Sequence, residues 1–367
     1  MGLRPPSPAA ITTRRLAAQQ ISMHEQDSPA ELVRSLGAVQ AQDLAGAKWA
    51  LGLRLPGADE GTIDRALARG DILRTHAMRM TWQFVHPADV RGLVALFSPR
   101  LTRRFRRRHG ELGLAAATFR RSRRVLEREL AGGAHLTRDE IAAALRAAHI
   151  RTSEQRLSHL LGFAELEGLL VSGAPRGRKQ TFALLDSRVP APRRPPDPLA
   201  TVAGLVLRYF RTRGPATLDD FSWWSGLTLA ETRPAIEKLG TRLAPEKHAD
   251  RTLWRVTDAP PVAPPAPAAV LLPPFDEFLV AYRNRGDALA SEDASRVNTG
   301  GGMLNPCVLL RGRIAGTWRR QLGRRGAAIE VWPFRAFTVG EERAIRSAAK
   351  AWAAFHGVAF DVEFRLS

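Results

Sequence analysis

The chain has little of several things, and each shortage excludes something. A single cysteine, Cys307, rules out an internal disulfide framework and any multi-thiolate metal site, and fits a reducing, intracellular compartment. No apolar run approaches the roughly 20 residues that a membrane span requires. The first residues, Met-Gly-Leu-Arg-Pro-Pro, lack the apolar core of a signal peptide, and Pro6 stands where a myristoylation motif carries Ser or Thr. The expected setting is therefore cytoplasmic, with no membrane partner. Lysine is almost missing too, five against 50 arginines, and acids number only 36, which leaves a net charge of +19. Arginine holds phosphate through a planar two-toothed fork, so an excess of this size points to a polyanion, and localisation at the nucleoid follows.

Motifs of enzyme chemistry are equally scarce. The nine histidines show no metal-ligand spacing, so no metal or other cofactor is expected, and His76, His86 and His135 read as structural or exposed. Gly300-Gly301-Gly302 sits among strands rather than before a helix, and no Gly-x-Ser-x-Gly elbow occurs.

What is present is a repeated pattern. Thr12 and Thr13 are placed to cap a helix over 14–20, Ser28-Pro29 opens one to Leu36, and further helices are expected over 48–54 and 59–70. Residues 72–85 alternate as a strand pair, and helices followed by such a pair describe a winged helix. A capping box, Thr137 with Glu140, opens a second unit, whose strands flank the basic turn 173–180. Beyond a Pro/Arg linker at 190–198 the pattern recurs through Thr217, a helix over 229–239 and a strand over 251–256. After five prolines within 259–267, strands are expected at 269–272, 278–282, 307–310, 313–316, 329–332 and 359–364, with a helix at 340–355. The fold class is α+β: winged-helix (helix-turn-helix) units over 8–100, 101–189 and 197–258, then a mostly β domain over 268–367.

Within this frame Gln40-Ala41-Gln42-Asp43 stands out. Residues two apart diverge by about 200° on a helix but share a face when extended, so the two amides belong at a helix end or in an extended turn. An amide donates and accepts hydrogen bonds at once, which suits holding a water; a solvated loop is the plainer reading. Asp43 stays undecided. Trp223-Trp224 places at least one ring in a core, and Phe275-Asp276-Glu277 reads as an arginine-paired turn after Pro273-Pro274.

Several segments resemble the AlkZ/YcaQ family of winged-helix DNA glycosylases: Val39–Gln42, Arg74–Trp82, Gly214–Thr217 with Trp223–Leu227, Leu271–Asp276 and Gly316–Arg320. The resemblance spans nearly the whole chain in the family's order, although relatives often carry His at Gln83 and an acid near Asn284. It implies a C-shaped array gripping double-stranded DNA and excising alkylated purines. It also implies catalysis by the Gln-x-Gln pair Gln40 and Gln42, the branch that removes bulky or crosslinked guanine N7 adducts in antibiotic self-resistance. DNA contacts are then expected from Arg79, from Arg103, Arg104, Arg106 and Arg107, from the wing residues Arg176, Arg178 and Lys179, and from Arg319 and Arg320. A lesion-probing hairpin would present His76, Met78, Met80 and Trp82. A monomer is expected. The rival from another class is a non-catalytic winged-helix regulator, for which the glutamines are loop residues.

Overall fold

The computed structural model describes residues 7–259, 263–323 and 326–365. Met1–Pro6, weighed above for a leader or acyl signal, and Pro260–Val262 of the second proline linker lie outside them. The chain forms two compact units, neither one a continuous stretch: Met1–Leu36, Gln40–Ile63 and Ala203–Ser367 make the first, Gly37–Val39 and Asp64–Val202 the second.

In the second unit, Leu73–His76 and Trp82–Val85 pair antiparallel, with His76 opposite Trp82. Helices Pro87–Glu111 and Ala116–Glu129 absorb the arginine-rich stretch and turn its charges outward. The expected capping box forms on helix Arg138–Ala147, and helix Arg156–Leu166 leads to the strand pair Leu170–Ser172 and Thr181–Leu184. Leu126, Leu130, Leu145, Leu160 and Leu161 fill the core of this winged helix. Each buried leucine contributes about 1.5–3 kcal/mol.

The first unit contains another winged helix. Thr217 and Asp220 box the helix Leu218–Ser225, helix Leu229–Leu239 follows, and Leu243–His248 pairs with Arg251–Val256. Its C-terminal part is a five-stranded sheet in the order Phe360–Phe364, Gly326–Pro333, Arg313–Gly323, Cys307–Leu310, Ala269–Leu272. Helix Val339–His356 packs on it. One apolar cluster joins Leu16 and Ile21 to Leu272, Phe278, Leu309 and Ile314, so the first helix of the chain shares a core with its last domain.

Three element expectations change. Thr12 and Thr13 do not cap; Ser7 does, accepting from the amide of Ala10, and helix Pro8–Ala18 starts at its proline while both threonine hydroxyls bond back to Ala9. The third helix begins at Leu44, four residues early, because Asp43 caps it. Residues 278–282 are not a strand: Asp276 accepts the amide of Phe278 and starts the short helix Glu277–Val280.

Candidate active site

Helix Pro29–Leu36 ends against Gly37, whose φ of +78° an L side chain would strain, and the chain then extends through Val39–Gln40. Gln40 is buried at 7% exposure, whereas Gln42 is exposed and lies just before the cap of the next helix. The pair thus occupies both settings that its spacing allowed. Asp43 adopts an extended conformation and accepts the amide of Gly46. A Cβ on Gly46 would lie 2.8 Å from Asp43 Oδ1 and 3.0 Å from Pro274, so only glycine lets the helix start against the proline turn. Asp43 is therefore an N-cap, which answers the question its position raised.

The backbone amide of Gln40 donates to Glu277 Oε1 at 2.9 Å. Glu277 is 1% exposed, and its other oxygen receives Arg213 Nε at 2.9 Å, Arg213 Nη2 at 2.7 Å and Trp224 Nε1 at 3.0 Å. Arg213 also donates to the carbonyl of Leu36 at 2.8 Å and lies 4.4 Å over the Trp224 ring. Next to this pair, Arg54 grips Asp276 with two bonds of 2.9 Å and donates to the carbonyls of Gln19 and Ala50. Gln19 connects the two ion pairs: its Oε1 accepts from Arg54, its Nε2 donates to the Tyr282 hydroxyl, and that hydroxyl donates to the carbonyl of Arg213. Burial opposes the charge on Arg54, but Asp276 outweighs it and its pKa is raised. Burial pushes Tyr282 up to about 12 and moves the Cys307 thiol up as well. The acidic turn is arginine-paired, as its composition suggested. The arginines that pair it, Arg54 and Arg213, carried no signal in the sequence, since they stand 222 and 64 residues away. Trp224 is buried and Trp223 is 44% exposed, the division expected of adjacent rings on a helix.

The remaining candidates divide between the units. In the second, Arg103, Arg104, Arg106 and Arg107 are exposed on helix Pro87–Glu111, with Arg107 held by Glu111. In the wing, Arg178 is exposed, while Arg176 and Lys179 pair with Glu140 and Asp139 on the facing helix. Such exposed pairs are weak and can exchange for phosphate. At the hairpin, Met78 is fully buried, Arg79 and Met80 turn the chain with φ of +54° and +59°, and His76 hydrogen-bonds the buried Glu165 and packs tilted against Trp82, ring centres 4.6 Å apart. Glu165 was missed, being an acid inside an otherwise apolar helix face. His86 caps a helix and His135 accepts the amide of Ala174, so both are structural. In the first unit, Arg319 pairs with Glu330 and covers Trp332 at 4.7 Å, and Arg320 lies 5.9 Å from the Trp352 ring centre. Among the described residues no three His, Cys, Asp or Glu side chains converge as a metal site, and no helix is long and apolar enough to cross a membrane.

A basic surface on winged helices, with the backbone of Gln40 anchored on a buried acid, fits a DNA-processing protein, and comparison with known proteins makes the class definite. Residues 33–355 match the family model for AlkZ-like DNA glycosylases, and the chain belongs to that family. A curated relative, the interstrand DNA cross-link repair glycosylase of Streptomyces sahachiroi, is 28% identical over 328 residues, covering 83% of this chain and 85% of its own. The solved structure of the Streptomyces sahachiroi DNA glycosylase AlkZ superposes with a TM-score of 0.77 over 99% of this chain and all of that one, at 24% identity, which supports the fold.

Proposed function

We propose that this DNA glycosylase hydrolyses the N-glycosidic bond of guanine alkylated at N7 in duplex DNA, bulky adducts and interstrand crosslinks included, with Gln40 and Gln42 as the catalytic pair. An N7-alkylguanine is already cationic, so it departs without a general acid. The species that needs help is the oxocarbenium-like sugar and the water that adds to its C1′ as the bond to N9 breaks. Amide oxygens can orient that water and face the developing positive charge. The observation that carries the reading is the state of the acids around the motif: Asp43 caps a helix, Asp276 is held by Arg54, and Glu277 by Arg213. Neutral amides suit a cationic leaving group while being inadequate for an undamaged base. A relative named for crosslink repair supports the bulky end of the substrate range, and a role in self-resistance to a DNA-alkylating natural product is consistent with that range.

The test is incubation with duplex DNA carrying N7-methylguanine, a bulky N7 adduct or an N7–N7 crosslink, followed by alkaline cleavage of abasic sites. Strand breaks are expected, and Gln40→Ala and Gln42→Ala should each lower the excision rate by about 10²–10³-fold, the scale of lost transition-state contacts, with DNA affinity unchanged. Wild-type protein that binds all three duplexes and yields no breaks sinks the proposal.

A further inference from the structure

We propose that Glu277 and Arg213 form a clamp that positions Gln40 for the reaction, with Glu277 as the positioning residue; this rests on the reading of Gln40 as catalytic. The clamp grips the motif from both sides. Arg213 Nη1 holds the carbonyl of Leu36 at 2.8 Å, and Glu277 Oε1 holds the amide of Gln40 at 2.9 Å. Between these two points lies Gly37, a residue with wide backbone freedom, and the extended segment that Gln40 ends is only two residues long. A strand of two residues, at the edge of a three-stranded sheet, does not by itself fix a side chain to a fraction of an ångström. Catalysis by an oriented water needs that precision, since a displacement of about 1 Å costs on the order of 10²-fold.

The choice of a carboxylate follows from the clamp's other end. Arg213 is fully buried and stacked on Trp224, so it requires a counter-charge, and Glu277 supplies it with both guanidinium bonds on one oxygen. That leaves Oε1 to receive the amide of Gln40. The arginine offsets the charge of Glu277, so its contribution is geometric rather than a field acting on the sugar. Trp224 Nε1 locks the same carboxylate from a third side, and Tyr282 holds the backbone of Arg213 through its carbonyl. Every element of the clamp is interior, and none of it needs to touch DNA.

The experiment compares Glu277→Gln, Glu277→Asp, Gln40→Ala and the distant core deletion Val331→Ala, which serves as a stability control. Full-length protein is assayed in single turnover on N7-methylguanine duplex, with duplex affinity, melting temperature and hydrogen exchange at the Gln40 amide measured alongside. Both Glu277 variants are expected to slow excision at least tenfold, to bind DNA within twofold of wild type, and to lose exchange protection at Gln40. Glu277→Asp keeps the charge but is one methylene short of reaching both partners, so it carries the test should Glu277→Gln fail to fold. Val331→Ala is expected to lower the melting temperature while excising at the wild-type rate below it. A folded Glu277 variant with the wild-type rate beside an inactive Gln40→Ala overturns the clamp alone. Slowing matched by Val331→Ala at equal loss of stability reduces Glu277 to a structural role and also overturns it. An active Gln40→Ala removes the parent reading, and the clamp's catalytic meaning with it.

Discussion

Replacing Arg54 by leucine isolates the interaction that ties the N-terminal helices to the acidic turn. Arg54 and Asp276 are 1% and 0% exposed at their side chains and share two bonds of 2.9 Å. Removing the arginine strands a buried carboxylate, which costs about 3–5 kcal/mol. The carbonyls of Gln19 and Ala50 also lose a donor, at about 1–3 kcal/mol each where water cannot replace it. Even the lower ends sum to about 5 kcal/mol, a large part of the roughly 5–15 kcal/mol that holds a domain together. Urea unfolding followed by tryptophan fluorescence reads this well, because Trp82 alone of the eight tryptophans lies in the second unit. With a slope of about 2 kcal/mol per molar, the midpoint of the first unit should fall by about 2.5 M. The double variant Arg54→Leu with Asp276→Leu removes the stranded charge as well and should regain at least about 2 kcal/mol, since apolar replacement of a buried pair is often neutral. A single variant within 1 kcal/mol of wild type, or a double variant no better than the single, refutes the argument.

Other consequences are open to direct measurement. Tyr282 has its pKa raised to about 12 by burial, against about 10 in the unfolded chain. Its contribution is therefore complete below pH 10 and lost as pH rises from 10 to 12, and Tyr282→Phe should flatten alkaline unfolding in that window; an unchanged profile rejects this. Met80 sits at a φ of +59° in the hairpin turn, so Met80→Gly should relieve about 1 kcal/mol of strain and raise exchange protection over residues 73–85. If Met80 also meets the lesion, the same variant loses excision while its hairpin grows more stable. Arg103→Ala, Arg104→Ala and Arg106→Ala should each lower the slope of log affinity against log salt by about 1, equally for damaged and undamaged duplex; a loss confined to the damaged duplex would assign them to recognition instead. Gly46→Ala forces a Cβ to within 3.0 Å of Pro274 and should destabilise by about 1–3 kcal/mol, read in the same urea titration.

The local grammar of the fold was legible because its signals are local. The capping box at Thr137, the helix start at Thr217 and the Ser28-Pro29 start each depend on neighbours within four residues, and each stands where its letters place it. The errors have the same character. Over 278–282 the apolar run Phe-Leu-Val-Ala-Tyr satisfies a strand pattern, yet one side chain, Asp276, captures the amide of Phe278 and bends the segment into a helical turn. Strand Leu243–His248 carries no strand pattern in its letters, because Pro245 and Lys247 break the alternation. Long-range pairing was not legible at all. Nothing adjacent to Arg54 or Arg213 announces a carboxylate partner, and the sharing of one core by Leu16 and Leu309 is a property of packing rather than of pattern.

That division bears on the motif itself. The letters Gln-Ala-Gln state which chemistry is on offer, two neutral amides, and the resemblance says what such a pair does elsewhere. What holds the backbone of Gln40 is encoded far away, in a turn at 273–277 and a helix ending at Arg213. The acids are few, and Asp43 beside the motif and the two of the turn behind Gln40 are committed: one to a helix cap, two to buried arginines. Spending them on geometry leaves the proposed site without an acid to protonate a leaving group. It can then expel only a base that alkylation has already charged. On this reading the selectivity for damage arises less from contacts to the lesion than from withholding general-acid chemistry. A mutant restoring an acid, Gln42→Glu, tests that directly. It should begin to release neutral bases that depart more readily when protonated, such as hypoxanthine, as pH falls. Release of N7-alkylguanine should change little with pH, and identical pH profiles for both substrates would defeat the argument.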